Sequence, residues 1–190
     1  DKTGRLLGFV NGGGVAIQKA ASRRRGVNTS EIKLPRPMIN DDSLNFSFSG
    51  LKTAVVREWK KYFPFVVTTK AEIQNTRPPI KTRMTKEALV GEFSYEVQEA
   101  ITDVLVKKTL RAAKMYNTKS ILLSGGVSAN FRLREKFNQQ ITTQNLQLLL
   151  PPPGLCTDNA VYIASCAFFR GKPTNWREIT AIPDLSVENL

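Results

Sequence analysis

Two short strings combine the residue types that nucleotide and metal chemistry require. Gly125-Gly126-Val127-Ser128-Ala129-Asn130 places two glycines where a strand is predicted to end. Glycine lets the backbone approach a ligand, and free amides at the start of the next helix favour anions and polar groups. Asn130 offers a donor and acceptors to a ribose or a base. The same string also fits a tight turn in which Ser128 or Asn130 caps a helix. Cys156-Thr157-Asp158-Asn159 places a carboxylate where the last helix should begin. Asp158 there could ligate a metal ion, but spacing alone favours Thr157 or Asp158 as an N-cap. Cys156 has no base and no second thiolate near it in sequence, and reads as buried packing.

Two further strings are weaker. Asn11-Gly12-Gly13-Gly14 permits close ligand approach or forms a flexible loop; no Gly-Lys-Ser/Thr follows, so it is not a Walker loop. Asn45 to Lys52 alternates aromatic and hydroxyl residues, which predicts a helix start capped by Ser47 or Ser49 with Phe46 and Phe48 packed.

The elements that must position these strings follow from periodicity. Residues 1–8 read as a helix end, and Val15 to Arg24 as a helix. Pro35 and Pro37 keep 33–50 extended or turn-rich. Leu51 to Phe63 is predicted helical, with Leu51, Ala54, Val55, Trp59 and Tyr62 on one face. Residues 64–84, with Pro64, Pro78 and Pro79, read as an exposed basic insertion. A long helix is predicted from Thr85 to Asn117, where Val90, Phe93, Val97, Ala100, Ile101, Val104 and Leu105 recur at three- and four-residue steps. Its acids come early and its bases late, an order that suits the helix dipole.

After residue 117 the period changes. Ser120 to Leu123 is a predicted buried strand, Ala129 to Gln140 a helix, Leu146 to Leu150 a strand stopped by three prolines, and Asp158 to Arg170 a helix closed by Gly171. Strand, helix, strand, helix implies a parallel βαβα unit. Such sheets bind ligands at the carboxyl ends of their strands, where both glycine and aspartate strings fall. The expected organisation is a mainly helical, basic, substrate-facing subdomain over 1–117 and an α/β lobe over 118–190.

Composition narrows the classes. The chain has 190 residues and a net charge of +12. Residues 1–86 hold 17 Lys/Arg against 6 Asp/Glu, and residues 87–190 hold 11 against 10. A basic half joined to a balanced half points to a polyanionic partner, nucleic acid first. No aromatic platform is interleaved with the bases, so stacking on single strands is not indicated. There is no apolar run of about 18 residues, which excludes a spanning helix. Cys156 and Cys166 make no disulfide framework, and a reduced compartment is expected. With no histidine, a His-based triad and a His-Cys zinc cluster within the chain are excluded. The chain opens at Asp1 and its first methionine is Met38, which suggests a piece of something longer.

The strings PRPMINDDSLNFSFSGLKTAV (35–55), VQEAITDVLVKKTLRA (97–112), LLSGGVSANFRLREKF (122–137) and PPPGLCTDNAVYIA (151–164) together closely resemble the TsaD family of tRNA N6-adenosine threonylcarbamoyltransferases. The likeness runs in order from Asp1 to about Gly171. It implies the carboxy-terminal part of an actin-like ATPase (ASKHA) fold. It also implies that Asp1, Gly14 and Asn130 bind the adenylate substrate, with Gly125 and Gly126 as weaker contributors, and that Asp158 ligates a divalent metal, iron or zinc.

Three departures bear on this. The family's His-x-x-x-His ligands and its Ser-Gly-Gly-His-Thr phosphate loop are absent, so an amino-terminal lobe would lie outside the chain. The family's Pro-Gly-Gly-Pro loop reads Gly12-Gly13-Gly14-Val15, which leaves it looser. The implied reaction is acyl transfer from threonylcarbamoyladenylate to the adenosine beside the tRNA anticodon, with no identifiable general base and an inactive isolated chain. Implied partners are tRNA and either TsaB/TsaE-type helpers in bacteria or a second copy in mitochondria. No membrane is involved, and the location is cytoplasmic or, alternatively, mitochondrial. The rivals are a non-catalytic tRNA-binding fragment and, from an older family label, a metalloendopeptidase, which the missing His-Glu-x-x-His opposes.

Overall fold

The computed structural model describes residues 2–10, 13–24, 32–62, 85–142 and 146–183. The predicted insertion at 64–84 lies outside the described residues, as does Asp1. The elements are α1 (Lys2–Leu6), α2 (Gly13–Ser22), α3 (Ser49–Tyr62), α4 (Lys86–Met115), β1 (Ser120–Leu122), α5 (Phe131–Ile141), β2 (Gln147–Leu149) and α6 (Ala160–Arg170), with short 3-10 turns before α5, before α6 and at Trp176–Glu178. Strands β1 and β2 pair in parallel, Ile121 opposite Leu148. The described residues are thus mostly helical, with one parallel β-α-β unit among them.

Helix α4 runs through both cores. Thr85 caps it, its Oγ1 accepting from the Ala88 amide at 3.2 Å. Leu89, Phe93, Val97 and Ala100 meet Leu7, Leu34, Leu51, Val55 and Trp59 in a first core. The Phe93 ring meets Trp59 edge-on at 5.1 Å between centroids and Tyr62 at 6.0 Å. Further along, Val106 and Ala113 join Ile121, Leu133, Phe137 and Ile141 in a second core. Burying each Leu, Val, Ile or Phe side chain of these cores stabilises by about 1.5–3 kcal/mol.

The charges of α4 do something other than the expected dipole matching. Dipole effects fade beyond the end turns, so only Glu87 and Lys114 serve that role. Glu92, Glu96 and Glu99 are buried instead. Glu92 pairs with Arg24 at 2.6 Å. Glu96 accepts from the Leu34 amide at 3.1 Å and pairs with Arg36, whose Nε also reaches Asp103 at 3.0 Å. Buried Lys108 donates to the carbonyls of Asp41 (3.0 Å) and Ser43 (2.6 Å). Residues 32–43 are therefore strapped along α4 by polar tethers. A helix buried on the strap side as well as the core side needs charged partners there, because an unpaired buried charge is strongly unfavourable.

Three local expectations are corrected. Leu122 of β1 is 70% exposed rather than buried, because one face of the two-stranded sheet is uncovered. Phe46 is 54% exposed; only Phe48 reaches the first core. Helix α6 begins at Ala160 and its N-cap is Asn159, whose Oδ1 accepts from the amides of Val161 and Tyr162; neither Thr157 nor Asp158 caps it. Gly171 closes α6 in the left-handed conformation as predicted.

Candidate nucleotide-facing loops

The loops that follow β1 and β2 form the candidate site. The first starts with Gly125 at φ +78°, a conformation L side chains rarely adopt. The chain then closes a 3-10 turn, Gly126–Ala129, in which Ser128 is buried and its hydroxyl donates to the Gly125 carbonyl at 2.7 Å. Asn130 caps α5: its Oδ1 accepts from the Leu133 amide at 3.0 Å. Its Nδ2 donates to Oε1 of Gln98 on α4, also at 3.0 Å. Beside it, the Phe131 amide donates to Oε1 of Gln18 on α2 at 3.1 Å. The capping role open in the sequence is therefore real, and it leaves the Asn130 amide group held by a side chain from another element.

Gln18 lies one helical turn beyond Gly14 on α2. This brings the glycine string and the Asn130 turn to the same side of α4. The crowded glycine is Gly4 of α1, where an added Cβ would lie 2.8 Å from the Gly13 Cα; a Cβ on Gly14 would meet nothing within 4 Å. Between α2, α4 and α5 lies a hollow of about 550 Å³, lined by Val15, Gln18, Tyr95, Gln98, Phe131 and Arg132.

The second loop leaves β2 through Pro151 and Pro152 into the 3-10 turn Pro153–Leu155. Cys156 is buried, as its sequence context suggested. Asp158 is exposed, and its Oδ1 accepts from the Tyr162 hydroxyl at a long 3.5 Å. The two loops touch: a Cβ on Gly126 would stand 3.9 Å from Thr157 Cγ2, the neighbour of Asp158. Arg134 joins them further. Its Nε donates to the Ser128 carbonyl at 2.6 Å, and its Nη2 donates to the Pro151 carbonyl at 2.7 Å and to Cys156 Sγ at 3.2 Å.

A metal needs several donors, and Asp158 supplies one. Among the described residues, no group of three or more His, Cys, Asp or Glu comes together. A divalent ion therefore does not fit the described residues alone, and no chemical step is assigned to one here.

Next to the site, a charged seam joins α4 to α5. Arg132 pairs with Glu99 at 2.6 Å and with Glu135 at 2.7 Å, while Lys136 reaches Glu99 at 2.9 Å and also bonds Asp103. Burial raises the Glu99 carboxyl, but hydrogen bonds from Arg132 and Lys136 outweigh it and hold the group below the usual range. Asp103 is likewise lowered: burial opposes, and Lys136 and Arg36 prevail. The Arg132 guanidinium is raised, chiefly by its bond to Glu99. Of the basic residues suspected of facing nucleic acid, Arg24 and Arg36 are engaged internally, whereas Lys2, Arg5, Lys19, Arg23, Lys52 and Lys60 are exposed.

Gln18, Gln98 and Arg134 were invisible as site residues in the sequence. Each looks like an ordinary polar position on a helix, and their partners lie up to 113 positions away.

The family model described as "TsaD: tRNA N6-adenosine threonylcarbamoyltransferase" matches residues 1–165. Curated proteins bearing the same name are similar in sequence. One from Persephonella marina is 40% identical over 175 residues, covering 90% of this chain and 43% of its own length. One from Thermosipho africanus is 34% identical over 189 residues, covering 98% of this chain and 50% of its own. One from Dehalococcoides mccartyi is 38% identical over 190 residues, covering 98% of this chain and 48% of its own. The chain spans about half the length of these curated relatives. With four motifs in order and a family match across most of its length, the chain belongs to the TsaD family of tRNA N6-adenosine threonylcarbamoyltransferases.

Proposed function

We propose that this chain is the carboxy-terminal part of a threonylcarbamoyltransferase with an actin-like ATPase fold. In the assembled enzyme it serves transfer of threonylcarbamoyl from L-threonylcarbamoyladenylate to N6 of the adenosine beside the anticodon, in tRNAs that read codons starting with A. The adenosine amine attacks the carbamoyl carbonyl, a C–N bond forms, the amine gives up a proton to solvent, and AMP leaves with the electrons of the anhydride C–O bond. The supporting observation is the meeting of the Asn130 turn and the Asp158 loop at the carboxyl ends of two parallel strands. Asn130, Gly14 and Asp1 hold the nucleotide, with Gly125 and Gly126 as weaker contributors. Asp158 contributes one ligand to a divalent metal, iron or zinc, whose other ligands come from an amino-terminal lobe.

The apolar surface supports that lobe. In α6, Val161 is 56% exposed, Ile163 62%, Phe168 79% and Phe169 84%. Leu122 and Leu149 are exposed on the bare sheet face as well, and exposed apolar surface of this kind marks an absent partner. The exposed bases of α1, α2 and α3 position tRNA, and the location is cytoplasmic or mitochondrial.

Split reconstitution tests the reading. The chain is purified with and without the amino-terminal half of the Persephonella marina relative, and threonylcarbamoyladenosine is measured in tRNA by nucleoside mass spectrometry. The mixture should transfer and the chain alone should not. Transfer by the chain alone would overturn the two-lobe reading. Salt-dependent tRNA binding that persists without transfer in the mixture would favour a non-catalytic binding fragment instead.

A further inference from the structure

We propose that Arg134 is a positioning residue: its guanidinium locks the loop carrying Asn130 and the loop carrying Asp158 into one register. The proposal rests on the transferase reading above and adds a residue to it. Beyond the bond from the Leu123 amide to the Leu149 carbonyl, no backbone hydrogen bond among the described residues crosses between 124–130 and 150–159. The polar tie between them is one side chain. Arg134 leaves the first turn of α5, four residues after Asn130, so it is anchored to the same helix start that Asn130 caps. From there its Nε reaches back to the Ser128 carbonyl, and its Nη2 reaches forward to Pro151 and Cys156.

Three neutral acceptors on two loops, bonded by one planar group, fix distance and angle together. Among the described residues, Arg134 pairs with no carboxylate, so its charge is left to polarise the carbonyls it holds. Lysine cannot substitute: a single ammonium lacks the rigid fork needed to span both loops. Cys156 is the built-in reporter, since it is only 4% exposed and sits on the clamp itself.

The test uses the 190-residue chain with Cys166, the exposed thiol, replaced by Ser. Cys156 labelling by a disulfide reagent is timed in the parent, in Arg134→Lys and in Arg134→Ala, with far-UV circular dichroism as the fold control. Both variants should label faster, by about tenfold, as expected when hydrogen bonds from a charged donor are lost. Methylguanidinium should slow labelling in Arg134→Ala. Rates within twofold of the parent in the folded Lys variant would overturn the clamp.

In the reconstituted two-lobe assembly, Arg134→Lys should raise KM for the adenylate and leave KM for tRNA unchanged. A fall in kcat alone, with both KM values held, is the mark of lost folded protein and would overturn the positioning role. If the parent assembly transfers nothing, the enzymatic reading fails and the positioning role falls with it, while the thiol rates still decide on the clamp.

Discussion

Replacing Asn130 separates what the residue does for the fold from what it does for a ligand. In Asn130→Ala the α5 cap is lost, at about 1 kcal/mol, together with the hydrogen bond to Gln98, worth about 1 kcal/mol. Both bonds are 3.0 Å long and part-buried, so their full values apply. A loss of about 2 kcal/mol lowers Tm by roughly 4–8 °C in a chain of this size. Asn130→Asp keeps an oxygen for the Leu133 amide and adds a negative charge at a helix start, which is favourable by about 0.3–1 kcal/mol. Gln98 can turn its amide to donate to the new carboxylate. The Asp variant should therefore stay within about 0.5 kcal/mol of the parent, the usual range of mild substitutions. It should nevertheless lose adenylate affinity in the two-lobe assembly, because a carboxylate replaces the donor and faces an anion. Urea unfolding at pH 7 reads the first effect and adenylate competition the second. If the Asp variant is as unstable as the Ala variant, the capping argument is wrong; if it binds adenylate like the parent, the ligand role is wrong.

Other outcomes follow from the cores and the seam. Phe93→Ala removes a fully buried ring between Trp59 and Tyr62 and should cost about 3–5 kcal/mol in urea unfolding; a loss under 1 kcal/mol would contradict the packing described. Gly4→Ala should destabilise by about 1–3 kcal/mol, because the added Cβ would lie 2.8 Å from the Gly13 Cα, where α1 and α2 touch. Gly14→Ala, open on all sides, should be neutral or stabilising by up to about 1 kcal/mol; equal effects at the two positions would refute the assignment. Glu99 and Asp103 have lowered pKa values in the fold, so their contribution is present above the unfolded carboxylate range near pH 4 and is lost as pH falls through the folded values beneath it. The urea midpoint should drop on acidification below about pH 4, and the drop should shrink in the Glu99→Gln/Asp103→Asn variant; identical acid limbs in the two proteins would remove the seam from the account.

The helices of this chain could be read from their periodicity. Leu51, Ala54, Val55 and Trp59 do share a buried face, and Thr85, Asn130 and Gly171 stand where α4 begins, α5 begins and α6 ends. The charges of α4 misled, because Glu96 and Lys108 look like solvent-facing positions until residues 32–43 lie across them. That contact joins groups more than 60 positions apart, and no local spacing encodes it. The same blindness hid Gln18, Gln98 and Arg134. Asn130 and Asp158 drew notice from their types and neighbours, whereas the groups that hold them in place are defined by three-dimensional proximity alone. Leu122 reads as buried for a related reason: apolar letters announce burial without saying whether the covering surface belongs to the same chain.

One helix, α4, runs through both cores and also carries the tethers for residues 32–43. It acts as a common spine, so the two halves have no seam along which either could melt by itself. Amide exchange at Phe93 and at Val106 should then proceed through a single shared opening. A proline placed midway, at Thr102, would dissolve both ends together, and an impulse delivered at residues 32–43 would reach the glycine turn through a rigid rod rather than a hinge.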